Sequence, residues 1–413
     1  MQTSIHTDLK DLLQVREADA ILRSCVHCGF CTATCPTYQI TGDELDGPRG
    51  RIYLIKNLLE ENVIDRKPLA HLDRCLTCRS CETTCPSGVQ YGRLLDIARE
   101  LPATRVNRPV TQALISHLLR FVVPRPGIFL PLLRLGQFLK PVLPAFLGEK
   151  VPEAKALLPV NPGSHEKRVI LLQGCVQRAA TPNVNRAITI LLDQQNIAVE
   201  YLASEGCCGA LDYHLSGHKT GKQRMRRLID QIYPRLDDIE AIVSSASGCG
   251  LTLKDYPDIL KGDPSETKAR AVAGKVRDIS ELLVDKPINC RTNEVIRAAL
   301  HTPCSLQHGQ NLNGVIEKIL KNSGIELLPV KNGHLCCGSA GTYSIMQPDM
   351  SRRLRDQKLG ALQEYQPDVI LTANIGCQLH LQTGTKTPVM HWTELLHQLS
   401  QPGTGGSPPG SST

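Results

Sequence analysis

Cys25-Val26-His27-Cys28-Gly29-Phe30-Cys31-Thr32-Ala33-Thr34-Cys35-Pro36 and Cys75-Leu76-Thr77-Cys78-Arg79-Ser80-Cys81-Glu82-Thr83-Thr84-Cys85-Pro86 share one punctuation, C-x2-C-x2-C-x3-C-P. Two-residue gaps let one loop wrap three thiolates round a small inorganic core, while the fourth cysteine points back to a second core. The spacing therefore predicts two [4Fe–4S] clusters with crossed ligands. Cys25, Cys28, Cys31 and Cys85 would hold one, and Cys75, Cys78, Cys81 and Cys35 the other. Structural zinc takes its cysteines in separated pairs around one tetrahedral ion, whereas here they crowd four to a loop, twice. Each proline closes its loop by fixing φ and removing an N–H.

Outward from the loops, residues 1–100 read as a helical ferredoxin-like domain. Apolar residues at helical spacing run from Asp8 to Leu22 and lead into the first loop, and Gly47-Pro48-Arg49-Gly50 starts a helix through Arg51–Leu59. The whole chain, 413 residues, has room for two or three domains, and with only 4% aromatic residues its cores must be aliphatic. Seventeen cysteines are far above ordinary usage. An oxidising compartment would favour disulfides, but Met1–His6 shows neither a basic nor an apolar leader segment. The cysteines are accordingly read as thiolate ligands in a reducing cytoplasm. A net charge of +7 without an Arg-rich or aromatic-interleaved patch gives no reason to expect nucleic acid as a partner. No G-x-G-x-x-G follows a strand and no Walker A loop is present, so neither flavin nor NAD is expected on this chain.

Residues 101–165 change character. Leu101 to Gly148 contains no Asp or Glu but carries Arg105, Arg108, Arg120, Arg125, Arg134 and Lys140 among Leu, Val, Phe and Pro. Repeated prolines break any run long enough to span a bilayer. The segment is either a surface element that docks on anionic lipid or a partner subunit, or a connector packed on the chain's own core.

Beyond it the chain repeats itself. Cys175, Cys207, Cys208 and Cys249 match Cys304, Cys336, Cys337 and Cys377 at offsets of 129, 129, 129 and 128 residues. Apolar strands precede the cysteines, as in Val169–Leu172, Ile197–Leu202, Ile239–Ser244, Ile296–Cys304, Ile325–Val330 and Pro367–Thr372, with amphipathic helices at Asn185–Asn196 and Asn313–Gly324. Strand–helix–strand order implies parallel sheets with right-handed crossovers. Ligands of such sheets bind beyond the strands' carboxyl ends, where these cysteines fall. The expected fold is thus α+β and multi-domain, with the helical 2×[4Fe–4S] domain followed by two α/β repeats over 166–290 and 291–398. Buried cysteines can act as small hydrophobes, but four matched positions twice over favour metal ligation. One or two further iron–sulfur centres are the candidates, with zinc open for one copy. Gly209 and Gly338 are expected to let the backbone approach those centres. His301, His334 and His380, each within three residues of a repeat cysteine, are read as satisfied neighbours rather than ligands. Cys290 is left over as a bystander. The Gly/Pro/Ser tail over 399–413 is expected to be disordered.

Two ferredoxin-type loops followed by a duplicated Cys…Cys-Cys-Gly…Cys pattern resemble the family of iron–sulfur subunits with paired cysteine-rich CCG domains. The residues that carry the likeness are CVHCGFCTATCPTYQITGDELDGPRGRIYLIK, LDRCLTCRSCETTCPSGVQYGRL, and the single cysteines Cys249 and Cys377 that close the repeats. Members serve the oxidation of glycolate, lactate or glycerol 3-phosphate, or reduce heterodisulfides. The resemblance implies an electron-transfer subunit of a flavin-dependent 2-hydroxyacid dehydrogenase, with glycolate the best-fitting substrate. Flavoprotein subunits would be its partners and a membrane quinone its acceptor, at the inner face of the cytoplasmic membrane. It also implies that no catalytic residue lies on this chain. Heterodisulfide reductase-type domains close each repeat with C-x-x-C. Ala246 and Asn374 stand at the first of those positions here, which leaves four thiolates per repeat and puts a five-thiolate cluster and thiol–disulfide catalysis in doubt.

Overall fold

The computed structural model describes residues 1–101, 108–142, 148, 151–290 and 295–401. In the N-terminal part, helices Leu13–Ser24, Pro48–Glu61 and Tyr91–Glu100 bury Val15, Ala18 and Leu22, Ile52, Ile55, Leu58 and Leu59, and Leu94, Leu95, Ile97 and Ala98 in one aliphatic core. Pro48 at the first turn and Asn62 in the left-handed region bracket the second of these helices. The first helix starts at Leu13 rather than Asp8. Residues 7–11 are turns, in which Leu9 N–H bonds the His6 carbonyl and the Leu9 side chain packs into the helical core without helical register.

The repeats form two parallel sheets of the same order, β2-β1-β3-β4 and β6-β5-β7-β8. Their strands are β1 (Lys167–Leu172), β2 (Ile197–Glu200), β3 (Ala241–Ser244), β4 (Val276–Asp278), β5 (Arg297–His301), β6 (Glu326–Leu327), β7 (Val369–Thr372) and β8 (Val389–His391). The central strands are continuous apolar runs because both faces are covered. β6 is a two-residue edge strand, with Glu326 and Leu328 donating to the carbonyls of Ile296 and Ala298 at 3.0 and 2.9 Å, and Pro329 sits where an edge strand needs no outward donor.

A single core draws Val169, Leu171, Ile188 and Leu191 from the first repeat together with Leu300, Ile316, Leu371, Trp392 and Leu395 from the second. Each repeat's last helix packs on the other repeat's first one: Trp392–Ser400 on Pro182–Asp193, and Ile279–Leu283 on Val315–Asn322. The last helix continues past the expected start of the tail at 399, because Leu399 is buried; the remainder of that tail, 402–413, lies outside the described residues.

The helical domain lies against both repeats. Arg79 makes a two-pronged ion pair with Asp255 (3.2 and 2.5 Å), and Lys222 meets Glu100 at 2.8 Å. On the other repeat, the Tyr343 hydroxyl donates to the Arg74 carbonyl at 2.9 Å.

Candidate metal centres

Both N-terminal loops have the same backbone path. The residue before the second cysteine (His27, Thr77) and the residue after it (Gly29, Arg79) all take positive φ, at 56°, 55°, 85° and 60°. These left-handed steps curl the loop so that three sulfurs face inward. A non-glycine there costs of order 1 kcal/mol or more, which at Arg79 the buried bond to Asp255 offsets.

The crossed ligand sets appear as neighbourhoods in space. Burial pushes the Cys31 thiol up to about 11, and the nearby Cys25, Cys85 and Cys28 add to the shift. Cys25, Cys28, Cys31 and Cys85 line one small cavity with Pro48 and Ile52, where Cys81 also approaches from the second loop. Cys78 and Cys81 are likewise raised, first by burial, and their sulfur neighbours are Cys75 and Cys35. The first set has an open side, since Cys28 is exposed and its neighbours Val26 and Phe30 are 68% and 63% exposed. The second set is more enclosed, with Cys35 and Cys81 buried and Cys75 and Cys78 partly so. Two convergent sets of four thiolates, each in an aliphatic shell, fit cubane [4Fe–4S] clusters by donor number and chemistry.

A buried cation, absent from the sequence reading, stands beside the second set. Arg51 is 1% exposed; it donates to the His71 carbonyl at 2.7 Å, to Thr37 Oγ1 at 3.0 Å and to Cys35 Sγ at 4.0 Å. Burial works against its charge, while Cys75, Tyr91, Cys35 and Asp46 hold it protonated. Asp46 is in turn held by His71 (2.9 Å) and Arg74 (3.1 Å). Arginine inside an amphipathic helical pattern reads as solvent-facing, so nothing in the sequence marked it.

In the repeats all eight cysteines sit past the carboxyl ends of the strands, at the point where strand order reverses. Cys175 Sγ lies 3.7 Å from Cys207 and Cys208 Sγ 3.5 Å from Cys249. In the second copy Cys304 is 3.9 Å from Cys336, and Cys337 is grouped with Cys377 and His301. The glycines of both Cys-Cys-Gly runs have φ of +86°, but their close approach is not to the sulfurs. A Cβ at Gly209 would lie 2.8 Å from the Gly221 carbonyl, and one at Gly338 2.6 Å from that of Ser351. They let each cysteine pair lie on the helix that follows (His218–Ile232, Pro348–Leu362). The His380 ring is satisfied by Ser351, at 3.0 Å from its hydroxyl. Cys290 is half-buried against the shared core, away from both groups.

The second N-terminal set and the second repeat are contiguous. Leu76 and Cys78 pack with Cys304, Cys336 and Tyr343, and Cys304 is the first charged neighbour acting on Cys78.

Known proteins contain both kinds of domain. A cysteine-rich domain, CCG, matches residues 169–254 and 298–382, and a 4Fe-4S dicluster domain matches 21–89. The chain is 48% identical over 404 residues to the glycolate oxidase iron-sulfur subunit of Escherichia coli (strain K12), covering 96% of this chain and 99% of that one. It is 30% identical over 420 residues to the probable glycolate oxidase iron-sulfur subunit of Bacillus subtilis (strain 168), covering 91% and 93%. Lactate utilization protein A of Geobacillus kaustophilus is 29% identical over 239 residues, which is 56% of this chain and 98% of that protein. A crystal structure of a hypothetical protein from Helicobacter pylori superposes with a TM-score of 0.53 at 8% identity, covering 94% of this chain and 72% of that one; this is a likeness of fold alone.

Proposed function

The chain belongs to the family of glycolate oxidase iron–sulfur subunits, and on that premise we propose that it is the electron-transfer subunit of a flavin-dependent 2-hydroxyacid dehydrogenase. The substrate is glycolate, oxidised to glyoxylate on partner flavoprotein subunits. The observation that carries the reading is the contiguity of three cysteine groups: an N-terminal set open to the surface at Cys28, a more enclosed set beside Arg51, and the Cys304–Cys336 pair packed on Cys78. Bound in these sites, iron–sulfur clusters supply one-electron storage. The protein's own residues hold the thiolates, exclude water from the inner set, and offer Val26 and Phe30 as an apolar rim where a partner can dock.

The acceptor is a membrane quinone, with the protein resting on the inner face of the cytoplasmic membrane. Helices Val110–Val122 and Pro126–Leu139 support this part. Arg120 anchors the first on Asp212 at 3.1 Å and Leu133 packs the second beside Ala246 and Ile375, while Val110 and Phe138 remain 84% and 81% exposed. Apolar residues flanked only by basic ones suit the interface of an anionic bilayer. Among the described residues no single helix is long and apolar enough to cross a membrane, and the two helices are bent by 105°.

Co-expression with its flavoprotein partners, followed by dye reduction with glycolate, lactate and glycerol 3-phosphate in turn, tests the substrate. Glycolate is expected to give the highest kcat/KM. Lactate is the second reading, favoured only by relatives that align with 56% of the chain.

A further inference from the structure

The two repeats are not chemical copies of one another. β1 ends at Leu172 and β5 at His301, each three residues before the first cysteine of its repeat. Leu172 pairs with Ser244 at the end of β3, and His301 with Thr372 at the end of β7. His301 therefore stands where the first repeat has an apolar core residue.

His301 is 1% exposed, and neither ring nitrogen has a hydrogen-bond partner among the described residues. A buried histidine that merely packs finds a carbonyl, hydroxyl or carboxylate, because a polar atom left bare in an apolar setting costs a few kcal/mol. His380 and His391 do find such partners. The ligating atoms of His301, Cys337 and Cys377 lie instead within 4.8 Å of one another. Burial, then the charge of Lys358, keeps the imidazole neutral, the form with a lone pair to give. Lys358 is a second departure from symmetry. Buried at 3% exposure, it donates to the carbonyls of Asn332 and Gly333, both at 3.1 Å, and its charge acts on Cys337, Cys336, Cys377 and Cys304. The corresponding helix of the first repeat buries Leu228 and Ile229 there.

We propose that His301 is a nitrogen ligand to the metal centre of the second repeat, making with Cys304, Cys336, Cys337 and Cys377 a thiolate–imidazole site, while the first repeat keeps thiolates alone. Thiolates with an imidazole suit an iron–sulfur centre, and zinc would take four of these five donors. The imidazole joins the four thiolates and replaces none, so it adds a donor while leaving the negative charge of the site unchanged. The inference rests on the reading of the repeat cysteines as metal ligands.

The test is the iron, zinc and acid-labile sulfide content of the anaerobically purified full chain, for wild type and for His301→Leu, His301→Cys and Cys337→Ser. His301→Leu installs the residue of the first repeat, so packing is kept. Circular dichroism and the EPR of the N-terminal clusters report whether each variant is folded. His301→Leu is expected to weaken the second centre's hold on its metal, read as loss of one centre's metal to a chelator that leaves the wild type loaded, while both readouts stay unchanged, and His301→Cys to restore it. Iron and sulfide lost together mean a cluster, and zinc lost alone means a mononuclear site. Full metal retention against the chelator in His301→Leu, with Cys337→Ser losing its share, overturns the proposal. No loss in Cys337→Ser overturns the underlying reading of the cysteines as well. If His301→Leu unfolds, nitrogen hyperfine coupling in wild type labelled with 15N-histidine decides for an iron centre, and zinc-edge absorption decides for zinc; absence of nitrogen at the metal overturns the proposal.

Discussion

A charged group taken out of water beside the sulfurs of Cys35 and Cys75 is the least expected residue in the molecule. Arg51 lies in the helix Pro48–Glu61, two turns of which are core, and is bonded to Thr37 and the His71 carbonyl, with Asp46 at 3.5 Å. Breaking a buried ionic group by removing one partner costs about 3–5 kcal/mol. Arg51→Gln is therefore expected to lower the unfolding free energy by about that amount, measured by chemical denaturation of the cluster-loaded chain. Taking away a positive charge next to Cys35 and Cys75 also makes electron uptake at that set harder. An EPR-monitored redox titration of Arg51→Gln should show one of the two N-terminal clusters at a lower potential and the other unmoved. An unchanged pair of potentials would separate Arg51 from any electrostatic role. The cysteines themselves were legible in the sequence because thiolate geometry dictates their spacing. Arg51 and His301 were not, since Arg51 is marked by a buried charge with its partners round it and His301 by burial with no partner among the described residues, both properties of the folded chain.

Among the elements, the third and fourth strands show what the sequence could and could not carry. β3 and β7 were visible as apolar runs, whereas β4 and β8 are three residues each and fall below any periodicity. The signal that could have found them is a second echo, Val276-Arg277-Asp278-Ile279-Ser280-Glu281-Leu282-Leu283 against Val389-Met390-His391-Trp392-Thr393-Glu394-Leu395-Leu396. In both, a short strand runs into a capping box, with Asp278 or His391 as the N-cap and Glu281 or Glu394 reaching back.

His391 is wholly buried, and desolvation holds its imidazole at about 4 against an ordinary 6.5, partly opposed by its bond to the Ser245 carbonyl. The depressed value means that stability is complete above about pH 6.5 and falls as acid protonates the unfolded chain first, by about 2 kcal/mol at pH 5. His391→Asn keeps a capping side chain but loses the Ser245 bond. It should be about 1 kcal/mol weaker at pH 7.5, with the gap closing or reversing by pH 5 in urea titrations. A constant gap would remove the histidine from the acid response.

The exposed helix pair makes its own prediction. Leu135→Asp with Phe138→Asp should abolish flotation with phosphatidylglycerol vesicles while leaving metal content intact. Binding to neutral phosphatidylcholine vesicles should be weak in wild type. Undiminished flotation of the double variant would contradict the lipid-docking role, and loss of partner subunits instead would assign the patch to protein contact.

At the scale of the whole molecule, the repeat was plain from cysteine offsets alone, but its consequence was not. The two sheets share one core, and each repeat lends its last helix to the other, so neither half keeps a complete core by itself. Apolar residues announce that they are buried, not against which half of the chain. The helical domain spans both halves, through Arg79 with Asp255 on one side and Tyr343 with the Arg74 carbonyl on the other. That seating brings Cys78 against Cys304 and Cys336.

The central claim is that substrate electrons pass through this seating. It is tested by glycolate-dependent quinone reduction in the assembled complex carrying Cys78→Ser, with partner binding and the first cluster's EPR signal checked as intact. Loss of at least 100-fold in turnover, with glycolate still reducing the flavin, is the result expected. Turnover at the wild-type rate would contradict the account.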